Sequence, residues 1–251
     1  MRLVPSAIGR KYGYSRSQHR NLFAARYQRM AISLPSSVDL QPLCPPVYDQ
    51  GQLGSCTANA IAAAYQFERM QANLPPLTPS RLFIYWNERV MENDTNEDAG
   101  AFGGDGITSL ETLGVPDESL WPYIEGQFSV RPPDSVFAAA LANKISQRKI
   151  ITTIEDIKGA LVDRHLVPFG ISLYESFESD EVATSGIVPD PTLNEGLLGG
   201  HETAIAGYDD SMKAFKVRNS WGSGWGQQGY CWINYDYVMA AGSDFEVITK
   251  L

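Results

Sequence analysis

At 251 residues, with 43% hydrophobic and 20% charged side chains, the chain has the composition of an ordinary globular protein and enough length for a sizeable core. No apolar run approaches the ~20 residues of a bilayer-spanning helix, and three cysteines without a CxxC pair are too few for a disulfide framework. One bridge at most is possible, so at least one of Cys44, Cys56 and Cys231 stands outside any intrachain disulfide.

The net charge of −9 is unevenly placed. Residues 1–33 carry seven basic side chains (Arg2, Arg10, Lys11, Arg16, Arg20, Arg26, Arg29) and no acid; the remainder keeps 13 of the 20 basic residues and all 29 acidic ones, a net of −16. The basic start is not followed by a continuous apolar stretch, so it does not read as a secretory signal. A basic arm on an acidic body can attract nucleic acid or anionic lipid. Its interspersed Leu3, Ile8, Tyr12, Tyr14, Leu22, Phe23 and Tyr27 favour a different partner, the protein's own body, and neither nucleic acid nor membrane is expected.

After Leu34-Pro-Ser-Ser37, Pro42, Pro45 and Pro46 keep the chain extended. A turn-rich loop, Asp49 to Ser55, leads into an alanine-rich run from Cys56 to Phe67, which suits a helix packed on several sides. Ser55 stands at the N-cap, placing Cys56 in the first turn. Thr78-Pro79 predicts a second helix through about Met91. A glycine-rich segment (94–106) precedes a short helix over 107–113, and a helix over 154–164 is capped by Thr153. Short strands are expected at 169–173, 203–208, 214–218, 230–233 and 245–248, separated by glycine and aspartate turns. A helical first half and a β-rich second half predict an α+β protein of two lobes, with a site in the cleft between them.

Cys56 is the first candidate for chemistry. A thiol in the first turn of a helix faces the positive end of the macrodipole, which favours the thiolate; a buried structural cysteine is the commoner fate of a free thiol. Of the three histidines, His19 lies in the arm and His165 ends a predicted helix, where it is expected to serve the C-terminus. His201 follows Gly199-Gly200 and leads into a strand. A third segment, Arg218 to Tyr230, crowds two tryptophans and several glycines around Asn219. Its Gly224-x-Gly226-x-x-Gly229 is a nominal dinucleotide fingerprint without the strand–turn–helix context that gives it meaning.

Asp49-Gln-Gly-x-x-Gly-Ser-Cys56, Gly200-His201 and Asn219-Ser-Trp-Gly-x-x-Trp-Gly-x-x-Gly-Tyr230, in that order, resemble the papain-like cysteine peptidases from about Leu34 to the C-terminus. In that family the histidine and asparagine lie about 130–150 residues beyond the cysteine; here they follow by 145 and 163 residues, which implies insertions between them. The resemblance implies a papain-like two-lobed fold, with a helical lobe (34–133) carrying the nucleophile and a β-rich, barrel-like lobe (134–251) carrying histidine and asparagine. It implies Cys56 as nucleophile, His201 as its base, Asn219 as the group that orients the imidazole beneath Trp221, and Gln50 with the Cys56 N–H as the oxyanion hole. No metal or cofactor is required. Gly103 and Gly104 resemble the glycines that flank a substrate backbone. Ala204 and the 235–239 segment are candidate pocket residues beside them, with Trp221.

Two positions depart from the family pattern. Thr57 stands where a tryptophan usually follows the nucleophile, and Leu53 where many members have a cysteine bridged to the cleft's glycine loop. Both point to a divergent, microbial relative. The activity implied is a cysteine endopeptidase acting on peptides or proteins, with residues 1–33 as a pro-segment-like arm. The alternatives are an acyl-transferring thiol enzyme and a non-catalytic binding protein on a peptidase scaffold.

Overall fold

The alanine-rich run forms a helix that is buried at every position from Cys56 to Tyr65, because its small side chains let neighbours approach on all sides. A computed structural model describes residues 2–17, 25–29 and 33–251; His19, Arg20, Leu22 and Phe23 of the arm lie outside them. In chain order come β1 (Tyr14–Ser15), β2 (Ser37–Asp39), α1 (Cys56–Gln71), α2 (Arg81–Met91), β3 (Ala101–Phe102), α3 (Gly103–Thr112) and α4 (Asp134–Ala140). Then follow β4 (Gln147–Ile150), α5 (Ile154–Val162), β5 (Val167–Tyr174), α6 (Asp180–Ser185), β6 (Leu197–Asp209), β7 (Ala214–Arg218), β8 (Tyr230–Asn234), α7 (Tyr235–Ala241), β9 (Gly242–Ser243) and β10 (Glu246–Lys250).

The main sheet has six antiparallel strands in the order β8-β7-β6-β5-β9, with β2 joined to β6. Among the described residues this path has two ends, β8 and β9, and is not a closed ring. Strand β5 is apolar and buried over nearly its whole length, the pattern of a strand covered on both faces. Helix α1 packs against β5, β6 and β10 on one side and α2 and α3 on the other. It is the shared wall between helices and sheet, and Cys56 opens it. Residues 37–39, in the helical part of the sequence, cross over to join the sheet.

Several boundaries differ from expectation. Helix α2 starts at Arg81, with Ser80 as the cap accepting from the Phe83 N–H; Pro79 is instead bridged to Asp117. Helix α3 starts at Gly103, ahead of the expected 107, because its first turn is held by contacts outside the helix, including Gly104 N–H to Ser17 Oγ at 3.1 Å. All three cysteines are free.

Candidate active site

The loop before α1 is tied down by buried polar contacts. Gln50 is fully buried; its backbone N–H donates to the Ser220 carbonyl, its Nε2 donates to Leu53 O at 2.9 Å, and its Oε1 accepts from Ser220 Oγ at 2.6 Å. One Nε2 hydrogen remains for another acceptor. Ser55 occupies the N-cap of α1 without a capping side-chain bond. Its Oγ is instead 2.6 Å from the Tyr123 hydroxyl, which donates to Gln50 O. Thr57 Oγ1 donates to Glu88 Oε2 at 2.9 Å, so the smaller residue after Cys56 answers a buried acid.

His201 lies inside β6, and Asn219 just beyond β7, where the two strands run antiparallel. His201 Nε2 is 2.8 Å from Asn219 Oδ1, which also accepts from the Ser220 N–H at 2.8 Å. Two donors converge on that oxygen, so Nε2 carries the ring proton and Nδ1 keeps a lone pair. Nδ1 has no hydrogen-bond partner. Trp221 lies 5.4 Å from the imidazole, and Phe177 and Trp225 close around Trp221 at 5.3 Å each. Ser220 thus links Gln50 to Asn219, and through it to His201. Cys56 joins this set beside the Glu202 backbone N–H, which faces its sulfur and favours the thiolate.

The arm runs through this site. Leu3 is bridged to Leu197, and Glu178 accepts from Ser6 Oγ (2.5 Å), the Ala7 N–H (2.7 Å) and the Tyr12 hydroxyl (2.7 Å). Arg10 donates to Gly51 O at 2.6 Å and stacks over Trp221, and Lys11 pairs with Asp98 at 2.6 Å. Tyr12 sits edge-on to His201 at 6.0 Å, and the Gly13 N–H faces the Cys56 sulfur closely enough to favour its thiolate. Tyr14 and Ser15 then pair in parallel with Ala101 and Phe102. Farther on, Tyr27 is bonded to Ile150 and Asp163.

This covering reverses an expectation. A helix start should favour the thiolate, yet burial pushes the Cys56 thiol up to about 12, against the Glu202 and Gly13 N–H groups that pull it down. Burial also holds His201 down to about 4, with the Asn219 bond raising it and Arg10 lowering it further. Under the arm both groups are neutral at neutral pH, since desolvation outweighs the helix-end field.

Other expected site residues are scattered. Gly103 and Gly104 lie along the arm, beside Tyr14 and Ser17. Ala204 is buried inside the sheet between Pro168 and Arg218 and lines neither large cavity. From the 235–239 segment, Asp236 and Tyr237 line a 560 Å³ cavity and Met239 a neighbouring one of 800 Å³. The His165 ring turns to α1, its Nδ1 2.9 Å from Glu68, and among the described residues it caps no carbonyl. Gly224-x-Gly226-x-x-Gly229 is a turn entering β8. Ser220 and Glu202 carry no role legible from the sequence. The signal for Glu202 is an acid directly after His201, ahead of the small and apolar run Ala204-Ile-Ala-Gly207.

The family model described as papain family cysteine protease matches residues 34–249, leaving out the arm. A peptidase C1-like protein of Acanthamoeba polyphaga mimivirus is 43% identical over 215 residues, 81% of this chain and 69% of that protein. Cysteine proteinase 1 of Entamoeba histolytica is 26% identical over 206 residues, 79% of this chain and 63% of that protein. The structure of xylellain, a cysteine protease from Xylella fastidiosa, superposes with a TM-score of 0.89 at 37% identity, covering 96% of this chain and 97% of that one. Digestive procathepsin L 3 of Tenebrio molitor shares the fold, with a TM-score of 0.72 at 19% identity over 92% of this chain and 75% of that one. By its α+β fold and by the family match across nearly all of the body beyond the arm, this chain belongs to the papain family of cysteine proteases.

Proposed function

We propose that the chain is a cysteine endopeptidase working through a thioester acyl-enzyme and held latent by its own N-terminal arm. The observation that carries this reading is the juxtaposition of Gly13 with the Cys56 sulfur and of Tyr12 with His201, a polypeptide lying across the two groups that would act on one. Described arm residues lie on both sides of Cys56, from Leu3 at Leu197 to Ser17 at Gly104. A groove that takes chain in both directions suits cleavage within a peptide.

With the arm displaced, Cys56 passes its thiol proton to His201 Nδ1 and its sulfur attacks the scissile carbonyl carbon. The carbonyl oxygen, now negative, is held by the free Gln50 Nε2–H and the Cys56 N–H. His201 returns the proton to the departing amine as the C–N bond breaks, leaving a thioester. Water then gives a proton to Nδ1, adds to the thioester carbon and expels the sulfur, which regains the proton. Asn219 keeps Nε2 protonated and the ring aimed throughout.

Latency has an electrostatic share. The arm is positive and the body negative, and Arg10–Asp49 and Lys11–Asp98 span the contact. The name procathepsin of the Tenebrio relative denotes a pro-form, in keeping with an arm that precedes the family match. The test is alkylation of Cys56 by an epoxide-type thiol inhibitor, read by mass, together with peptide turnover of the full chain and of a form lacking residues 1–33. Faster turnover without the arm, with a gap that narrows as salt screens the contact, is expected. Equal turnover at low salt, with the shortened form only melting earlier, makes the arm a strap; no labelling of Cys56 in the form lacking residues 1–33 removes the peptidase reading.

A further inference from the structure

Arg81 opens α2, where a cation opposes the helix dipole and no acid in the first turn offsets it. It is nonetheless buried, and every nitrogen of its guanidinium donates. Nε and Nη2 hold the two Glu118 oxygens at 2.9 and 2.8 Å, a bidentate pair. Nη1 donates to Asp49 O at 3.1 Å and to Asn59 Oδ1 at 3.2 Å. The guanidinium also packs on two rings, 4.1 Å from Tyr123 and 4.6 Å from Tyr48. Apart from the Glu118 pair, these contacts lead to the loop that carries Gln50 and to the start of α1.

Two peptide planes are held in this way. The Asp49–Gln50 peptide has its carbonyl on Arg81 and its N–H on Ser220 O, so both edges of a rigid unit are tied. The Ser55–Cys56 peptide, whose N–H is one oxyanion donor, has its carbonyl on Asn59 Nδ2 at 2.9 Å. The other end of that amide, Oδ1, is the one that accepts from Arg81. Tyr123, under the guanidinium, joins the two planes: its hydroxyl donates to Gln50 O at 2.8 Å and lies 2.6 Å from Ser55 Oγ. Asn59 and Ser55 are buried. None of these bonds runs to the Cys56 sulfur or to His201.

We propose that Arg81 is a positioning residue for the oxyanion hole, setting the spacing of Gln50 Nε2 and the Cys56 N–H by holding the backbone that carries each. The inference deepens the peptidase reading and rests on it. Donors fixed in advance stabilise the oxyanion without rearranging as its charge develops, and a misplacement of about 1 Å costs about a hundredfold in rate. A lysine at this position keeps a charge against Glu118. Its single nitrogen cannot hold the carboxylate, Asp49 O and Asn59 Oδ1 in the fork geometry of a guanidinium.

The test uses the full chain at raised salt and two readouts. Peptide hydrolysis passes through an oxyanion; alkylation of Cys56 by iodoacetamide, read by mass, displaces iodide at a saturated carbon and does not. Opening of the arm enters both rates and cancels in the ratio of kcat/KM to the alkylation rate constant. Arg81→Lys is expected to lower that ratio about ten- to a hundredfold, through kcat and not KM, with the pH profile of alkylation unchanged. In a Gln50→Ala background the same substitution lowers it no more than about threefold, because the hole is already incomplete. Equal loss of hydrolysis and alkylation, or an undiminished effect in the Gln50→Ala background, overturns the inference. Should Arg81→Lys not fold, Asn59→Ala leaves the Arg81–Glu118 pair in place and is read by the same ratio with the same outcomes. A parent that neither hydrolyses peptide nor is alkylated at Cys56, with or without residues 1–33, fails the peptidase reading itself. A parent active in both, with a ratio unmoved by Arg81→Lys, fails this inference alone.

Discussion

Gly13 and Gly54 meet backbone to backbone: a Cβ on Gly13 would stand 1.9 Å from the Gly54 carbonyl oxygen. On its other side a Cβ on Gly100 would stand 1.9 Å from the Gly13 oxygen, which accepts the Ala101 N–H at 2.6 Å. The arm crosses Cys56 at its narrowest residue, between two loops that leave no room for a side chain.

Gly13→Ala should therefore lift the arm. Peptide turnover by the full chain is expected to rise several-fold, on the order of the 1–3 kcal/mol that overpacking costs. Gly126→Ala, whose Cβ would meet nothing within 4 Å, serves as the control. Equal rates for parent and Gly13→Ala would count against latency by this contact.

Glu178 gathers three donors of the arm on one carboxylate. Charge-assisted bonds of this kind contribute about 1.5–3 kcal/mol each where buried and less where exposed. Glu178→Ala is expected to increase the alkylation rate of Cys56 about tenfold. Mass-resolved labelling against time measures it, and an unchanged rate would mean the arm is held elsewhere.

Within the site, Cys56→Ala should abolish hydrolysis while the folded protein persists, because one sulfur at a helix start contributes little packing. Asn219→Ala leaves His201 Nε2 without its acceptor and should lower kcat about ten- to a hundredfold without abolishing it. Full activity in Cys56→Ala would end the peptidase assignment.

Glu88 predicts a pH dependence of stability. It is fully buried with Oε1 unpartnered, and burial, reinforced by Glu92 and Asp105 and opposed by the Thr57 bond, pushes its carboxyl up to about 8 from 4.5. Between those values the native state binds more protons than the unfolded chain, so stability falls as pH rises through that window and levels off above it. Glu246, raised to about 7, acts in the same direction. Glu88→Gln keeps an acceptor for Thr57 and removes the titration. Its melting temperature should match the parent near pH 5 and exceed it at pH 8.5 by roughly 10 °C. A parent whose melting temperature rises with pH over this range would contradict the burial of Glu88.

What the sequence determined by itself was everything encoded over short spans or by residue type. The order of Gln50, Cys56, His201 and Asn219, the alanine-rich α1, the Thr153-capped α5 and the strand run from β5 to β8 were all legible, since each rests on a local pattern or a motif. The starts of α2 and α3 were not, because Asp117 holds Pro79 outside the one and Ser17 of the arm holds the first turn of the other. Ser220, mute in the sequence, became the link between Gln50 and Asn219 only when β6 and β7 brought the loops together. The charge state of Cys56 was decided the same way. The helix start is a local feature and pulls the thiol down, whereas burial beneath residues distant in the chain pushes it up and prevails, because removing a charge from water costs more than one helix end returns.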